Sequence, residues 1–272
     1  MQFSRYPSDN AVTFERWYLN NWTQSDERER VYLPIQWTAL YCNNGYGNAP
    51  IKHTIQKFIG GLDRDKKYYT IIQYDDGILN DISYLDIKVC AMSGKQIDFS
   101  LPLLCTPHKF GFTDNPKRDI FASFVGNITH PIRDRMIKQL QNVEDYYIST
   151  KHHALFDYCQ IMRRSKYALC PRGYGANSFR IQEAIDFGAI PVYISDEFIF
   201  PYNMPSFLFG PIIPVKAEEF DFFELNEALK AHDGVINKSL YPMMIEKNKS
   251  LYTYAGCKKE ILNYLKDCDN DL

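Results

Sequence analysis

The sequence has no apolar run of about 18 residues, the length that a membrane-spanning helix needs. Its start, Met1-Gln2-Phe3-Ser4-Arg5-Tyr6-Pro7, lacks the apolar segment of a signal peptide. The Gly-x-Gly-x-x-Gly fingerprint of dinucleotide-dependent oxidoreductases is also missing, because Gly173 and Gly175 are followed by Ser178 where a third glycine would stand. We therefore expect a soluble cytoplasmic protein without a membrane span, and we disfavour an oxidoreductase.

An excess of positive charge is absent as well. The 272 residues include 31 Lys and Arg against 33 Asp and Glu, so a net charge of −2 gives no electrostatic argument for a nucleic-acid partner. The seven cysteines are odd in number, scattered and never spaced as a metal-binding knuckle, which predicts free thiols. With 45% hydrophobic and 24% charged residues, the chain is typical of a globular protein long enough for two domains.

The most informative motif combines a short apolar strand, a glycine-rich loop and the start of a helix. It is the sequence LCPRGYGANSFRIQEA, residues 169–184. Ile181 and Ala184 share one face of the predicted helix, which ends at Gly188. Residues 189–194 then resume a buried-strand pattern, so the motif predicts one crossover of a parallel sheet.

Arg180 and Glu183 stand three residues apart, so both lie on one side of the predicted helix, near its positive end. An arginine and free loop amides favour a diphosphate, and a carboxylate one turn further along can accept the hydroxyl groups of a ribose. The same two residues could form a surface ion pair that contributes only about 0–1 kcal/mol. A nucleotide site and a surface ion pair both remain open from these residues alone.

Three consecutive stretches resemble the signature of exostosin-type glycosyltransferases, glycosyltransferase family 47. In the family's order and spacing, they are Ser165–Gly173, Ser178–Ile185 and Gly188–Asp196. Weaker similarity occurs upstream, at Leu101-Pro102 and at Ser123-Phe124-Val125-Gly126-Asn127 followed by Ile132-Arg133. The N-terminal anchor usual in this family is not found, so either the sequence is truncated or the chain resembles a short soluble member. A short viral or microbial member, such as those of large algal DNA viruses, fits best. Such a protein would act in the cytoplasm of an infected host cell.

The resemblance implies an α/β fold with two facing Rossmann-like domains (the GT-B arrangement), built on parallel doubly wound sheets. Alternating strand and helix patterns support this fold class. The segment 106–118, rich in Pro, Gly, Lys and Asp, is the predicted hinge. We assign residues 1–112 to an N-terminal acceptor-binding domain and residues 113–272 to a C-terminal sugar-nucleotide-binding domain, with the last helix able to pack back on the first domain.

Hydrophobic periodicity predicts the elements of this alternation. Strands are predicted over residues 31–35, 68–72, 86–90, 120–125, 146–149, 167–170 and 189–194. Helices are predicted over residues 11–21, 51–59, 131–141, 155–164, 218–231 and 258–266. The helix over 131–141 is favoured by a proline at its first position.

By the same resemblance, the chain would be an inverting glycosyltransferase that moves a sugar from a UDP-sugar to a hydroxyl group of an oligosaccharide or glycoprotein glycan. Xylose is the first guess for the sugar, because the family includes short xylosyltransferases. The family implies no essential metal, and no cofactor is expected beyond the donor substrate. Asp63-Arg64-Asp65 and Asp267-Cys268-Asp269 match the metal motif of another glycosyltransferase fold, and we interpret both matches as chance.

Transfer without a metal requires cations and dipoles that offset the charge of the leaving diphosphate. The candidate donor-binding residues are Gly126, Asn127, Arg133, Arg172, Gly173, Tyr174, Gly175, Asn177, Ser178, Arg180 and Glu183. Arg180, Arg133, the loop amides and the Ser178 hydroxyl are nominated for the diphosphate. Arg172 is a weaker candidate for this role, with the open alternative that it only locks the loop.

The other donor-binding candidates are assigned to the nucleoside and the sugar. Glu183 is predicted to hold the ribose. Tyr174 and Asn177 are predicted to line the base or sugar pocket, and the family implies a uracil base.

Asp75 and Asp76 are the candidates for the catalytic base, which the resemblance implies in the N-terminal domain. Asp75 comes first, because it follows a predicted buried strand and resembles the family's aspartate before glycine. A plain Asp-Gly turn explains the same residues equally well. The family pattern also breaks at Lys66, where exostosins often have histidine. This departure leaves open a non-catalytic exostosin-like module that binds nucleotide or glycan as the partner of an active transferase.

Overall fold

The computed structural model describes residues 12–24, 29–108, 110, 112, 114, 116–204, 212–217, 221–235 and 240–270. The chain divides into two compact units. The first unit runs to Thr106 and includes Ile199–Asn203 and the chain from Thr253 onward. The second unit comprises Pro107–Phe198 and Met204–Tyr252. None of the helices in the described ranges has the length and apolarity that crossing a membrane requires.

Strands and helices alternate along most of the described chain. The strands are β1 (Arg30–Tyr32), β2 (Lys67–Ile72), β3 (Asp86–Ala91), β4 (Phe99–Ser100), β5 (Ile120–Val125), β6 (Tyr146–Ser149), β7 (Ser165–Pro171), β8 (Ile190–Ser195) and β9 (Ile213–Lys216). The helices are α1 (Phe14–Asn21), α2 (Trp37–Asn43), α3 (Ala49–Gly60), α4 (Pro131–Leu140), α5 (Leu155–Arg164), α6 (Arg180–Asp186), α7 (Phe222–Val235), α8 (Leu240–Lys249) and α9 (Tyr254–Asn270).

The first unit is built on a parallel sheet with the strand order β1-β2-β3-β4. Strand β2 is buried over Tyr68–Ile72, as expected for a parallel strand that is covered on both faces. The Trp37 and Tyr41 rings of α2 and Ile55 and Ile59 of α3 pack in the core beside this strand. Burial of these large side chains supplies most of the driving force for folding.

Helix α9 belongs to the first unit, although it ends the chain. Its Tyr264 ring stacks on Phe99 of β4, with ring centroids 4.4 Å apart and planes 5° from parallel. The Tyr254 hydroxyl donates a hydrogen bond to the Val12 carbonyl over 2.6 Å. These contacts attach α9 to both ends of the first unit's sequence.

The second unit carries a five-stranded sheet with the order β6-β5-β7-β8-β9, and all of its described strand pairs are parallel. The chain passes from β5 to the edge strand β6, and then returns past β5 to β7 and onward to β8 and β9. This reversal makes the sheet doubly wound. Loops that follow β5 and β7 flank the point of reversal, which is where sheets of this class bind their ligands.

Helix α6 connects the neighbouring strands β7 and β8, as the sequence predicted. Its buried residues include Ile181 and Ala184. Gly188 ends it with a φ of 71°, and the following amide of Ala189 bonds back to the Ala184 carbonyl over 2.8 Å. Both units are therefore α/β with parallel sheets, which confirms the predicted fold class.

Candidate active site

Two loops meet at the reversal point of the second sheet. We call residues 126–130, which follow β5, the first glycine loop, and residues 172–179, which follow β7, the second glycine loop. Helix α6 begins directly after the second glycine loop. Every residue that the sequence nominated for donor binding lies in one of these loops, in the first turns of α4 or in α6. The structure thus brings the donor-binding candidates together at the carboxyl ends of β5 and β7, in the sheet of the second unit.

Arg133 joins the two glycine loops through backbone carbonyls. Its guanidinium donates from Nη1 to the Asn127 carbonyl over 3.0 Å, from Nε to the Arg172 carbonyl over 2.8 Å and from Nη2 to the Pro171 carbonyl over 3.2 Å. The residue is 8% exposed, and burial lowers its pKa to about 10, helped by the charge of Arg180. Arg133 therefore fixes the loops relative to each other, and its nomination as a diphosphate ligand stays a prediction.

Arg180 reaches from the start of α6 to the end of β5. Its Nη2 donates to the Val125 carbonyl, and its Cζ lies 4.7 Å from the centroid of the Phe124 ring. A Cβ at Gly126 would lie 2.6 Å from Nη2, so a side chain there would displace the guanidinium. The Arg180 Nε is buried, and the Tyr158 hydroxyl interacts with the guanidinium. The guanidinium places a buried positive charge beside both glycine loops, which favours an anionic ligand there.

Arg172 folds over its own loop. It forms an ion pair with Asp196, and it donates from Nε to the Gly175 carbonyl and from Nη2 to the Tyr174 carbonyl, over 3.2 Å in both cases. These bonds fix the backbone at the tip of the second glycine loop. They support the loop-locking interpretation of Arg172.

The second glycine loop is closed by its own polar groups. The Gly173 amide donates to the Asn177 carbonyl over 3.2 Å, and the Asn177 side-chain oxygen accepts the Ser178 amide over 2.8 Å. Asn177 and Ser178 are 5% and 4% exposed, whereas Tyr174 is 78% exposed at the loop tip. Asn177 and Ser178 thus shape the loop from inside, and Tyr174 is the candidate that solvent reaches most freely.

Not all of the nominated loop amides are available to a ligand. The Gly126 amide donates to the Ser149 carbonyl over 3.0 Å, and the Gly173 amide is used as described above. By contrast, the described residues supply no acceptor for the backbone N–H groups of Tyr174 and Gly175. The backbone N–H groups that remain available to a ligand are therefore fewer than the sequence analysis nominated. They lie at the tip of the second glycine loop.

Glu183 receives one hydrogen bond on each carboxylate oxygen. His108 Nε2 lies 2.9 Å from Oε1, and the Tyr158 hydroxyl donates to Oε2 over 2.6 Å. Burial is the largest influence on its pKa and raises it, but the His108 and Tyr158 hydrogen bonds and the Arg180 charge together lower the pKa below its usual value. Glu183 is therefore an ionised acceptor.

The surface ion pair considered for Arg180 and Glu183 is not formed between these two described side chains. Arg180 points to the Val125 carbonyl, and Glu183 points to His108 and Tyr158. The sequence analysis missed His108 and Tyr158. No spacing in the sequence links them to Glu183.

The Asp75-Asp76 pair occupies a turn at the carboxyl end of β2, in the first unit. The Gly77 amide donates to the Tyr74 carbonyl over 3.0 Å, and Gly77 has a φ of 74°. Asp75 is half-buried and Asp76 is exposed. Burial raises the pKa of Tyr74 to about 12, with the charges of both aspartates adding to the effect. The turn interpretation is thus confirmed, and the role of catalytic base stays a prediction.

The sequence is similar to known proteins over part of its length. A model of the exostosin GT47 domain matches residues 89–205. A probable glycosyltransferase of Arabidopsis thaliana is 32% identical over 87 residues, which cover 32% of this chain and 17% of that protein. A probable glucuronosyltransferase of Oryza sativa subsp. japonica is 30% identical over 147 residues, which cover 50% of this chain and 32% of that protein.

The similarity to solved structures is more distant. The crystal structure of the GtfA/B complex has a TM-score of 0.42 and 13% sequence identity, with 93% of this chain and 59% of that chain covered. The match to the family model includes both glycine loops and α6, which lie inside residues 89–205. Through this segment, which is less than half of the chain, the protein is similar to the exostosin GT47 family.

Proposed function

We propose that this chain is a glycosyltransferase that moves a sugar from a UDP-sugar to a hydroxyl group of an oligosaccharide or glycoprotein glycan. The observation that carries the proposal is the placement of the Arg180 guanidinium and the ionised Glu183 carboxylate on α6, at the reversal point of a doubly wound sheet. The matched exostosin GT47 segment supports the same class of reaction.

The diphosphate would be bound by Arg180 and by the backbone N–H groups of Tyr174 and Gly175. A guanidinium and two amides would offset the charge that develops on the departing UDP, so this mechanism uses no metal ion. Arg133 would position the loops without contacting the diphosphate, because its hydrogen bonds to three backbone carbonyls hold both glycine loops in place. Glu183 would accept the ribose hydroxyl groups.

The chemical step would be a single displacement with inversion at the anomeric carbon. The acceptor oxygen forms a bond to this carbon while the bond to the diphosphate oxygen breaks, and UDP leaves with the bonding electrons. Asp75 would take the proton of the acceptor hydroxyl, with Asp76 as the second candidate. Their place in a turn after β2 supports this role, because residues after the carboxyl ends of parallel strands are where this fold class carries its chemistry.

The donor sugar is a separate part of the proposal. Xylose remains the first sugar to test, and glucuronic acid is the second, because the rice relative is named a probable glucuronosyltransferase. The two sugars differ by a carboxylate group. A side-by-side assay with UDP-xylose and UDP-glucuronic acid therefore separates the two proposals.

Calorimetry with UDP and a transfer assay with radiolabelled UDP-sugars test the function. We expect Asp75→Asn to lose turnover while UDP binding is kept, and Glu183→Ala to lose UDP affinity. Asp63→Asn is the matched control, because Asp63 lies in an exposed turn, and it should behave as the unchanged protein. No UDP binding together with no transfer from any donor would reject the proposal.

The non-catalytic module stays a second candidate, because the position where exostosins often have histidine is occupied by Lys66. The Lys66 side chain is exposed and lies 4.0 Å from the Asp63 carboxylate. UDP binding without transfer, across all donors and acceptors, would favour this module. Equal activity of the Asp75 and Glu183 variants would instead remove both residue assignments.

A further inference from the structure

We propose that His108 and Tyr158 are positioning residues that hold Glu183 in the orientation that accepts both hydroxyl groups of a ribose. They would thereby make the site select ribonucleotides over deoxyribonucleotides. The inference rests on the proposed function, because it requires a nucleotide at α6. It adds two residues that the sequence analysis did not nominate, and it adds the chemical group that they serve to recognise.

The hydrogen bonds of Glu183 leave it two free acceptor directions. An ionised carboxylate offers about four lone-pair directions on its two oxygens. His108 uses one on Oε1 and Tyr158 uses one on Oε2. One direction remains on each oxygen. Two neighbouring acceptors match the two neighbouring hydroxyl donors of a ribose, so a nucleotide can bind without displacing His108 or Tyr158.

The two positioning side chains are themselves held. The His108 ring stacks on Phe187, with centroids 6.1 Å apart and planes 10° from parallel, and meets the Tyr158 ring edge-on at 6.2 Å. Tyr158 is fixed on α5 and Phe187 follows α6. The donors to Glu183 therefore come from two different segments of the second unit. This arrangement restricts the carboxylate, whose terminal torsion is otherwise broad.

The cluster is partly open to solvent. The side chains of His108 and Glu183 are 18% and 14% exposed. A pair with only a structural role can be fully buried, whereas a carboxylate that binds a ligand has to be accessible from solvent. The proton between His108 and Glu183 lies on Nε2, because an ionised carboxylate can only accept. Both neighbours thus act as donors and leave the remaining acceptor directions of Glu183 to the ligand.

The decisive measurement is the preference for UDP over 2′-deoxyUDP, obtained by calorimetry on the full chain. A hydrogen bond to a charged group corresponds to a preference of about tenfold to a hundredfold, which we expect for the unchanged protein. Tyr158→Phe keeps the ring and removes the donor, and His108→Phe replaces the imidazole by an aromatic ring without a donor. We expect them to reduce the preference to less than about threefold. His108→Gln restores a donor near the position of Nε2 and should recover part of the preference for UDP.

A second tyrosine–histidine contact in the same unit provides matched controls. The Tyr167 hydroxyl lies 2.9 Å from His232 Nδ1, away from both glycine loops. Tyr167→Phe and His232→Gln should therefore keep the full preference for UDP. Circular dichroism spectra would establish that every variant folds.

The outcomes separate this inference from the proposed function. If Tyr158→Phe and His108→Phe weaken UDP and 2′-deoxyUDP binding by the same factor, the two residues are only structural and the inference is overturned. UDP binding without preference in the unchanged protein also overturns it, while the proposed function survives. Absence of any UDP binding in the unchanged protein overturns this inference, and absence of transfer from any donor as well would reject the proposed function.

Discussion

Glu15 is a carboxylate inside the core of the first unit, where it is 1% exposed. Its Oε1 accepts the Gln73 amide over 2.8 Å, and its Oε2 accepts the Thr38 amide over 3.1 Å. Glu15 thereby ties α1 to the first turn of α2 and to the end of β2. Burial raises its pKa to about 7, although the hydrogen bonds from Thr38 and Gln73 lower it.

This raised pKa makes one contribution to the pH dependence of the stability of the first unit. Between the usual value of 4.5 and about 7, the folded chain keeps a proton on Glu15 that the unfolded chain has released. The free energy of unfolding therefore falls as pH rises through this window, by an amount on the order of 3 kcal/mol. Glu15→Gln keeps a hydrogen-bond acceptor without the charge. We expect this variant to lose this part of the pH dependence of the free energy of unfolding.

Urea unfolding at several pH values, followed by tryptophan fluorescence, checks the expectation. Glu29→Gln is the control, because Glu29 is an exposed carboxylate paired with Lys67 and should leave the pH dependence intact. Parallel pH profiles for the unchanged protein and Glu15→Gln would contradict our assignment of the buried proton to Glu15.

Some residues of the candidate site could be predicted from the sequence, and others could not. Arg180 and Glu183 belong to one contiguous motif, so local spacing was enough to nominate them. His108 and Tyr158 lie 75 and 25 positions from Glu183, and only the folded chain brings them to its carboxylate. A tertiary contact of this kind leaves no local pattern to read.

Among the elements, the turn after β2 depends on a close contact between two glycines. Gly77 and Gly94 have φ values of 74° and 106°, and a Cβ on Gly94 would lie 2.6 Å from the Gly77 Cα. We expect Gly94→Ala to destabilise the first unit by about 1–3 kcal/mol. Transfer activity should fall too, because the displaced turn carries Asp75 and Asp76.

The matched control for this turn is Gly60→Ala in α3. A Cβ on Gly60 meets no atom within 4 Å, and this glycine lies in a helix. We expect no loss of stability from Gly60→Ala, since alanine favours helix. Urea midpoints and transfer rates of the two variants give the comparison. Equal behaviour of both would show that the Gly77–Gly94 contact is dispensable.

The elements that the sequence predicted are those with strong local signals. Residues 120–125 and 146–149 form β5 and β6 as predicted, because short apolar runs end in turns there. Helix α2 was missed, since it lacks a side-chain cap and depends on buried Trp37 and Tyr41 for its stability. Strand β9 was missed because Pro214 stands inside it, which is tolerated at the edge of a sheet.

At the level of the whole chain, the three tryptophans, Trp17, Trp22 and Trp37, all belong to the first unit. Their fluorescence therefore reports the unfolding of this unit alone. Tyr264→Ala removes the ring that stacks on Phe99, and we expect it to lower the free energy of unfolding seen by fluorescence by about 2–5 kcal/mol.

Phe58→Ala is the control for this loss of an aromatic ring. Phe58 lies on α3 in the same unit and is 54% exposed, so its removal should change stability by less than about 0.5 kcal/mol. Urea unfolding by tryptophan fluorescence measures both variants. A Tyr264→Ala variant as stable as Phe58→Ala would show that α9 contributes little to the first unit.

The division into units illustrates what composition can and cannot predict. A Pro- and Gly-rich segment marked one passage between units, near residues 106–118. The chain also crosses at Ile199–Asn203 and again near Thr253, where the sequence analysis placed no boundary. Tertiary contacts assign these two segments to the first unit. One such contact joins the Tyr202 hydroxyl to the Cys257 sulfur over 3.1 Å. The α/β class could be predicted because it follows from local alternation alone.

The hydrogen bonds of Arg133 have a consequence for mutational tolerance. All three end on main-chain oxygens, at Asn127, Pro171 and Arg172, and every amino acid carries such an oxygen. Evolution can therefore exchange the side chains at positions 127 and 172 without losing the attachment. Position 133 has no such freedom, because only an arginine offers a planar fork that reaches three oxygens at once.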